Sequence, residues 1–199
     1  MDIVFDAGGV LLEWKPGEIA ARVFPTIDQQ QLFLESVLPG NTWRNYDAGL
    51  VDLEGYVHQA YEETALDKQL LRDFVREAKR SLVPKVQTLD LMKTLKALGY
   101  RVFVLSNMPA DMADYLLEYH DFWQHMDGTV FSGYVQMAKP DREIFSYIIE
   151  TWSLEPGNTI FIDDMSYNTE AAAVMGMKTV LFHSADECRQ QLKLHGIKI

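Results

Sequence analysis

Disulfides, membrane spans and excess positive charge are what this 199-residue chain conspicuously does without. A single cysteine, Cys188, precludes an internal bridge, so the fold rests on its apolar core, which a chain of this length can bury on its own. No window approaches the roughly 18 uncharged apolar residues of a membrane helix. The opening Met1-Asp2-Ile3-Val4-Phe5-Asp6 has no basic stretch ahead of an apolar one, which predicts a cytoplasmic protein without a signal peptide. Against 29 acidic residues there are 18 lysines and arginines, and the net charge of −11 repels polyanions over most of the surface, so nucleic acid is not an expected partner. The five histidines, at 58, 120, 125, 183 and 195, lack zinc-site spacing. Repeats, low-complexity segments and flexible linkers are also missing.

What is present is an alternation of short apolar runs and amphipathic segments. Residues 3–5, 102–105, 159–162 and 179–182 read as buried parallel strands, and 86–98, 109–118, 142–151 and 167–175 as helices, with Gly99 and Gly176 placed to end two of them. This pattern predicts an α/β parallel sheet. It is interrupted once. Residues 15–82 have helical patterns at 30–37, 53–64 and 68–80 and no strand, and predict an all-helical insertion, with the core in 1–14 and 83–199.

Parallel sheets bind ligands beyond the carboxyl ends of their strands. At those ends stand Asp6-Ala7-Gly8-Gly9, Ser106-Asn107 and Asp163-Asp164, with Lys139 in a loop just before a helix. Taken singly, each has an ordinary structural explanation: Asp6 as a turn residue, Asp163-Asp164 as helix-start charges, Lys139 as a surface cation. Together they form a coherent set. Carboxylates from two strand ends suit a hard divalent cation, and magnesium favours few carboxylates, several waters and a phosphate. Gly8 and Gly9 permit tight backbone turning near such an ion, Ser106 offers a hydrogen bond to a phosphate oxygen, and Lys139 offers a point charge.

Phe5-Asp6-Ala7-Gly8-Gly9-Val10-Leu11, Val104-Leu105-Ser106-Asn107, the stretch Ser132 to Phe145 around Lys139, and Phe161-Ile162-Asp163-Asp164 followed by Asn168, Ala171, Ala172 and Gly176 resemble, in order, the four motifs of haloacid dehalogenase-like hydrolases. The resemblance implies a Rossmann-like core with a helical cap after motif one and a magnesium-dependent phosphatase acting on a small phosphorylated metabolite. It implies that Asp6 attacks phosphorus and that Asp6, the Gly8 carbonyl and Asp164 hold magnesium, with Asp163 supporting that site. Ser106 and Lys139 would hold the phosphoryl group, with Gly8, Gly9 and Asn107 beside it. The sequence is similar to sugar-1-phosphate phosphatase-like members, and Trp43, Arg44 and Tyr46 in the insertion are candidates to line a sugar pocket, or alternatively to pack its helices. The expected state is monomer or homodimer.

One position departs from the pattern. Most phosphatases of this kind carry an aspartate two residues after the nucleophile as general acid and base; here it is Gly8. Glu13 and Asp47 are the nearest acidic replacements. The departure also keeps open a catalytically weak binding or regulatory protein and a 2-haloacid dehalogenase, which attacks carbon without a metal.

Overall fold

The computed structural model describes residues 1–199. Strand β1 (Asp2–Phe5) is wholly buried, as a three-residue run of apolar side chains behind one aspartate requires. Five helices make up the insertion that follows: α1 (Pro16–Val23), α2 (Ile27–Leu32), which continues into a π-helical turn at Phe33–Val37, α3 (Asn41–Asp47), α4 (Leu53–Thr64) and α5 (Lys68–Ser81). None of them contributes a strand. Then come α6 (Val86–Ala97), β2 (Arg101–Ser106), α7 (Ala110–Tyr119), β3 (Gly128–Phe131), α8 (Ser132–Val135), α9 (Arg142–Trp152), β4 (Thr159–Asp163), α10 (Ser166–Val174), β5 (Lys178–Leu181) and α11 (Ala185–Leu194). The α/β fold is the one expected.

All strand pairs are parallel, in the order β3-β2-β1-β4-β5. The chain leaves β1 toward one side of the sheet and crosses to the other side for β4, so the carboxyl ends of β1 and β4 flank a topological switch point. Their register aligns Phe5 with Ile162, and the Asp6 amide donates to the Ile162 carbonyl at 2.8 Å. Asp6 and Asp163 therefore leave the sheet side by side.

Sequence periodicity missed β3. Only Val130 and Phe131 of its four residues are buried, and Gly128 opens it against the face of Trp152, where a Cβ would overlap the indole. A strand so short and half-covered leaves little pattern. The predicted helix at 30–37 is likewise split into α2 and the π-helical turn, and α3 was not anticipated.

The inserted helices cluster around aromatic rings. Phe33 and Phe74 lie with centroids 4.2 Å apart, Tyr46 stacks on Tyr56 at 5.0 Å, and Trp43 meets Tyr46, Tyr56 and Phe74 edge-on. Helix α5 feeds this cluster through Leu71, Phe74, Val75 and Ala78, one face at helical spacing, and its start is fixed by Asp67, whose carboxylate accepts from the Gln69 and Leu70 amides. Two connecting segments run side by side between sheet and insertion: the Glu13 amide donates to Val83 and the Lys85 amide to Leu11, both at 2.8 Å.

Candidate active site

The Asp6 carboxylate, at the end of β1, and those of Asp163 and Asp164, at the end of β4, offer oxygens within 4.8 Å of one another. Three carboxylates this close repel, and the structure offsets part of that with Lys139. Its ammonium, 1% exposed, donates to Asp6 Oδ1 at 2.8 Å and to Asp163 Oδ2 at 2.6 Å. Burial alone would lower the Lys139 pKa; the two carboxylates outweigh burial and hold it above its usual value.

Asn107 clasps the lysine's backbone, its amide nitrogen donating to the Lys139 carbonyl at 2.9 Å and its oxygen accepting from the Lys139 amide at 2.8 Å. It was expected beside the phosphate, and it lines the same cavity while these polar atoms position Lys139.

Asp163, fully buried, is saturated in the same way. Oδ1 accepts from the Met165 amide at 2.8 Å and from Asn168 Nδ2 at 3.0 Å, while Oδ2 accepts from Lys139 and from Asn168 Nδ2 at 3.1 Å. Its lone pairs are spent on the protein, which suits the supporting role rather than direct metal ligation. Asp164 is partly exposed, and its pKa is raised, first by burial and then by Asp163. Asp6 is pushed up to about 7 by burial, opposed by Lys139 and reinforced by Asp163 and Asp164.

The donor set fits magnesium. Asp6 and Asp164 present hard oxygens, Gly8 lies on the cavity wall beside them, and a Cβ on Gly9 (φ +78°) would overlap the Asp164 carboxylate, so the backbone there comes as close as only glycine allows. Asn168 Oδ1 is buried without a protein partner at the same place, an acceptor suited to a coordinated water. The Asp6 and Asp164 pKa values are raised by burial first and then by the neighbouring carboxylates, and Lys139 offsets only part of the rise. Gly9 itself is not on the wall; its carbonyl accepts from Lys85 Nζ at 2.7 Å.

These groups floor a cavity of about 260 Å³. Ser106, ending β2 and 1% exposed, lines it with Asp6, Lys139 and Asp164. Above them the wall is formed by Trp14, Leu38, Trp43, Leu82, Met108, Pro109, Met112 and Met165, with Asp47 and Tyr167. Sequence reasoning did not single out Trp14, Leu38, Leu82 or the three methionines, since isolated apolar residues in helices and loops signal only core.

Of the insertion residues expected at a sugar, one reaches the cavity. Trp43 lines it. Arg44 turns outward into a bidentate pair with Asp141, at 2.7 and 2.8 Å, and the buried Tyr46 hydroxyl donates to Asp111 at 2.8 Å. The reason is helical geometry: on α3, Trp43 and Asp47 are four residues apart and share a face, whereas Arg44 and Tyr46 point elsewhere. The two candidate acids separate as well. Glu13 lies 3.5 Å from Lys15 outside this cavity, while Asp47 lines it. Burial raises the Asp47 pKa to about 7; the Trp43 indole N–H, directed at its carboxyl, opposes the rise, and Asp6 adds to it.

A model of the haloacid dehalogenase-like hydrolase family matches residues 3–176. The chain belongs to this family of hydrolases. It is 28% identical to a sesquiterpene phosphatase of Aspergillus oryzae over 98% of this chain and 94% of that protein. It is 31% identical to a drimenol cyclase of Aspergillus calidoustus over 96% of this chain but only 35% of that longer protein. Among solved structures, a HAD family enzyme from Bacteroides thetaiotaomicron in complex with magnesium and inorganic phosphate superposes with a TM-score of 0.73 at 20% identity, covering 92% of this chain and 93% of that one. The L-2-haloacid dehalogenase of Xanthobacter autotrophicus superposes with a TM-score of 0.68 at 17% identity, covering all of this chain and 84% of that one. At these identities the superpositions establish the shared fold. No helix is long and apolar enough to cross a membrane.

Proposed function

We propose that the protein is a magnesium-dependent phosphatase that hydrolyses a small organic phosphate monoester through an aspartyl-phosphate on Asp6. The observation that carries this reading is the juxtaposition of Asp6, Asp164 and Lys139 on one cavity, with the fully buried Asp163 paired to Lys139. A phosphatase among the relatives of full-length coverage, and magnesium with phosphate bound in a protein of the same fold, support it.

Asp6, Asp164 and the Gly8 carbonyl would hold the cation. When bound, magnesium offsets carboxylate and phosphate charge and orients the phosphoryl group. The remaining steps belong to the chain. Lys139 spends two of its three N–H bonds on Asp6 and Asp163, and the third is available to a phosphoryl oxygen. Ser106 donates a second hydrogen bond. An Asp6 oxygen attacks phosphorus, the bond from phosphorus to the ester oxygen breaks, and the departing oxygen takes a proton from Asp47. Water then gives its proton to Asp47 and attacks the acyl phosphate, releasing inorganic phosphate and restoring the Asp6 carboxylate. A carboxyl group with a pKa near 7 is matched to both donation and acceptance. Asp47 thus replaces, from the inserted helices, the acid that Gly8 lacks.

The test is phosphate release from p-nitrophenyl phosphate with magnesium and with chelator, in wild type and Asp6→Asn. Release that needs both magnesium and Asp6 is expected. No release from any ester, or halide release from a 2-haloacid without magnesium, would defeat the phosphatase reading.

A further inference from the structure

We infer that the organic part of the substrate is an apolar chain or ring system rather than a sugar; this rests on the phosphatase reading and names its substrate class. The residues lining the cavity divide by chemistry. Asp6, Gly8, Ser106, Asn107, Lys139, Asp164 and Asn168 surround the phosphate end. Beyond them, eight of the ten wall residues are apolar, and the remaining two are Asp47 and Tyr167.

A hexose presents several hydroxyls to such a wall. Asp47 faces Asp6 and the departing oxygen, and Tyr167 is half-exposed at the rim. The hydroxyls would find almost no partners, and each one buried without a hydrogen bond weakens binding. The two insertion side chains with the chemistry to read a sugar are occupied, Arg44 by Asp141 and Tyr46 by Asp111. An apolar substituent meets the opposite situation. Trp14 and Trp43 stack at 6.2 Å on one side, and Met108 and Met112, both 3% exposed, present polarisable, adaptable surfaces. Met165, 41% exposed, adds a solvent-facing apolar side chain to the same lining. The pocket selects by burying area and excluding water.

Two series test this, one of them independent of turnover. The first measures binding of n-alkylphosphonates of increasing length to the magnesium-loaded protein by calorimetry; the second measures kcat/KM for the corresponding n-alkyl phosphates and for glucose 1-phosphate. Affinity and kcat/KM should each rise about fourfold per methylene until the cavity is filled, and hexyl phosphate should exceed glucose 1-phosphate by tenfold or more. Leu38→Gln, a half-buried position, and Met112→Gln should flatten both slopes. Phosphate release with flat alkyl slopes, or with glucose 1-phosphate preferred, overturns the inference and leaves the phosphatase reading standing. Failure of every ester to release phosphate overturns both. Alkylphosphonates that bind with a rising slope unaffected by Leu38→Gln and Met112→Gln would place the chain elsewhere and overturn the assignment to this wall.

Discussion

Replacing Asp47 by asparagine keeps the size of the side chain while removing the proton that the alkoxide needs. A positioned acid contributes about 10²- to 10⁴-fold, and the lower half of that range applies here, because the carboxyl group is on an inserted helix and its pKa of about 7 leaves it partly ionised at neutral pH. For an alkyl ester, kcat should therefore fall about 10²- to 10³-fold, or ~3–4 kcal/mol of barrier. For p-nitrophenyl phosphate, whose leaving group departs without a proton, formation of the aspartyl-phosphate should slow less than tenfold. The assay is a rate series over esters of graded leaving-group acidity, with burst kinetics to separate formation of the intermediate from its hydrolysis. A steeper dependence in Asp47→Asn than in wild type is the expected signature. Gly8→Asp in the Asp47→Asn background is a further control: a Cβ at Gly8 would have only ordinary contact with Trp14, at 3.8 Å, so the added carboxyl can be accommodated and should restore part of the lost slope. Equal losses on alkyl and nitrophenyl esters in the first step, or no loss on either, would refute the assignment of Asp47.

Asp164→Ala should weaken magnesium affinity by an order of magnitude or more by calorimetry, and unchanged affinity would remove it from the ligand set. Lys139→Ala leaves Asp163 buried beside Asp6 without its cation, and should cost ~3–5 kcal/mol and lower Tm by roughly 6–20 °C in a melting experiment without metal. Gly9→Ala forces a side chain toward the Asp164 carboxylate at φ +78°, and should impair both melting temperature and magnesium binding. In chelator, stability should fall as pH rises. The folded-state pKa of Asp6 lies above its ordinary 3.8, at about 7, so its contribution is complete below pH ~4 and is lost on passing through ~7, at most ~4 kcal/mol; Asp6→Asn should reduce the slope measured by denaturant titration.

The floor of the site was legible because most of its groups end or directly follow a strand and the strands are continuous apolar runs. Asp6, Ser106, Asp163 and Asp164 are fixed in space by parallel register, which the sequence pattern implies. The walls were not legible. Which face of α3 meets the cavity depends on how the inserted helices pack around Phe33, Phe74 and Tyr56, and that packing sends Trp43 and Asp47 inward and leaves Arg44 and Tyr46 to other partners. Met108 and Met112 carry no chemistry to mark them. Asn107 shows a finer limit: its place in a motif beside Ser106 indicated the site, while only the structure reveals its amide clasping Lys139.

The charges on the floor also set the order in which the site must assemble. Asp6, Asp163 and Asp164 share one paired ammonium, Lys139, with Lys85 acting on Asp164 more weakly, so the metal-free site repels a phosphate dianion in a region where burial strengthens every Coulomb interaction. One response to this imbalance is protonation, and burial together with the neighbouring carboxylates raises the pKa values of Asp6 and Asp164. A protonated Asp6 is a poor nucleophile, so that response removes the chemistry along with the repulsion. A divalent cation relieves the same imbalance and leaves Asp6 ionised. Asp47, half-buried on α3, lies outside the cluster of three carboxylates, so a cation held by that cluster relieves it less and its affinity for a proton is retained. The site can then hold an ionised nucleophile and a protonated acid together at neutral pH, because one carboxyl group depends on the cation and the other on burial.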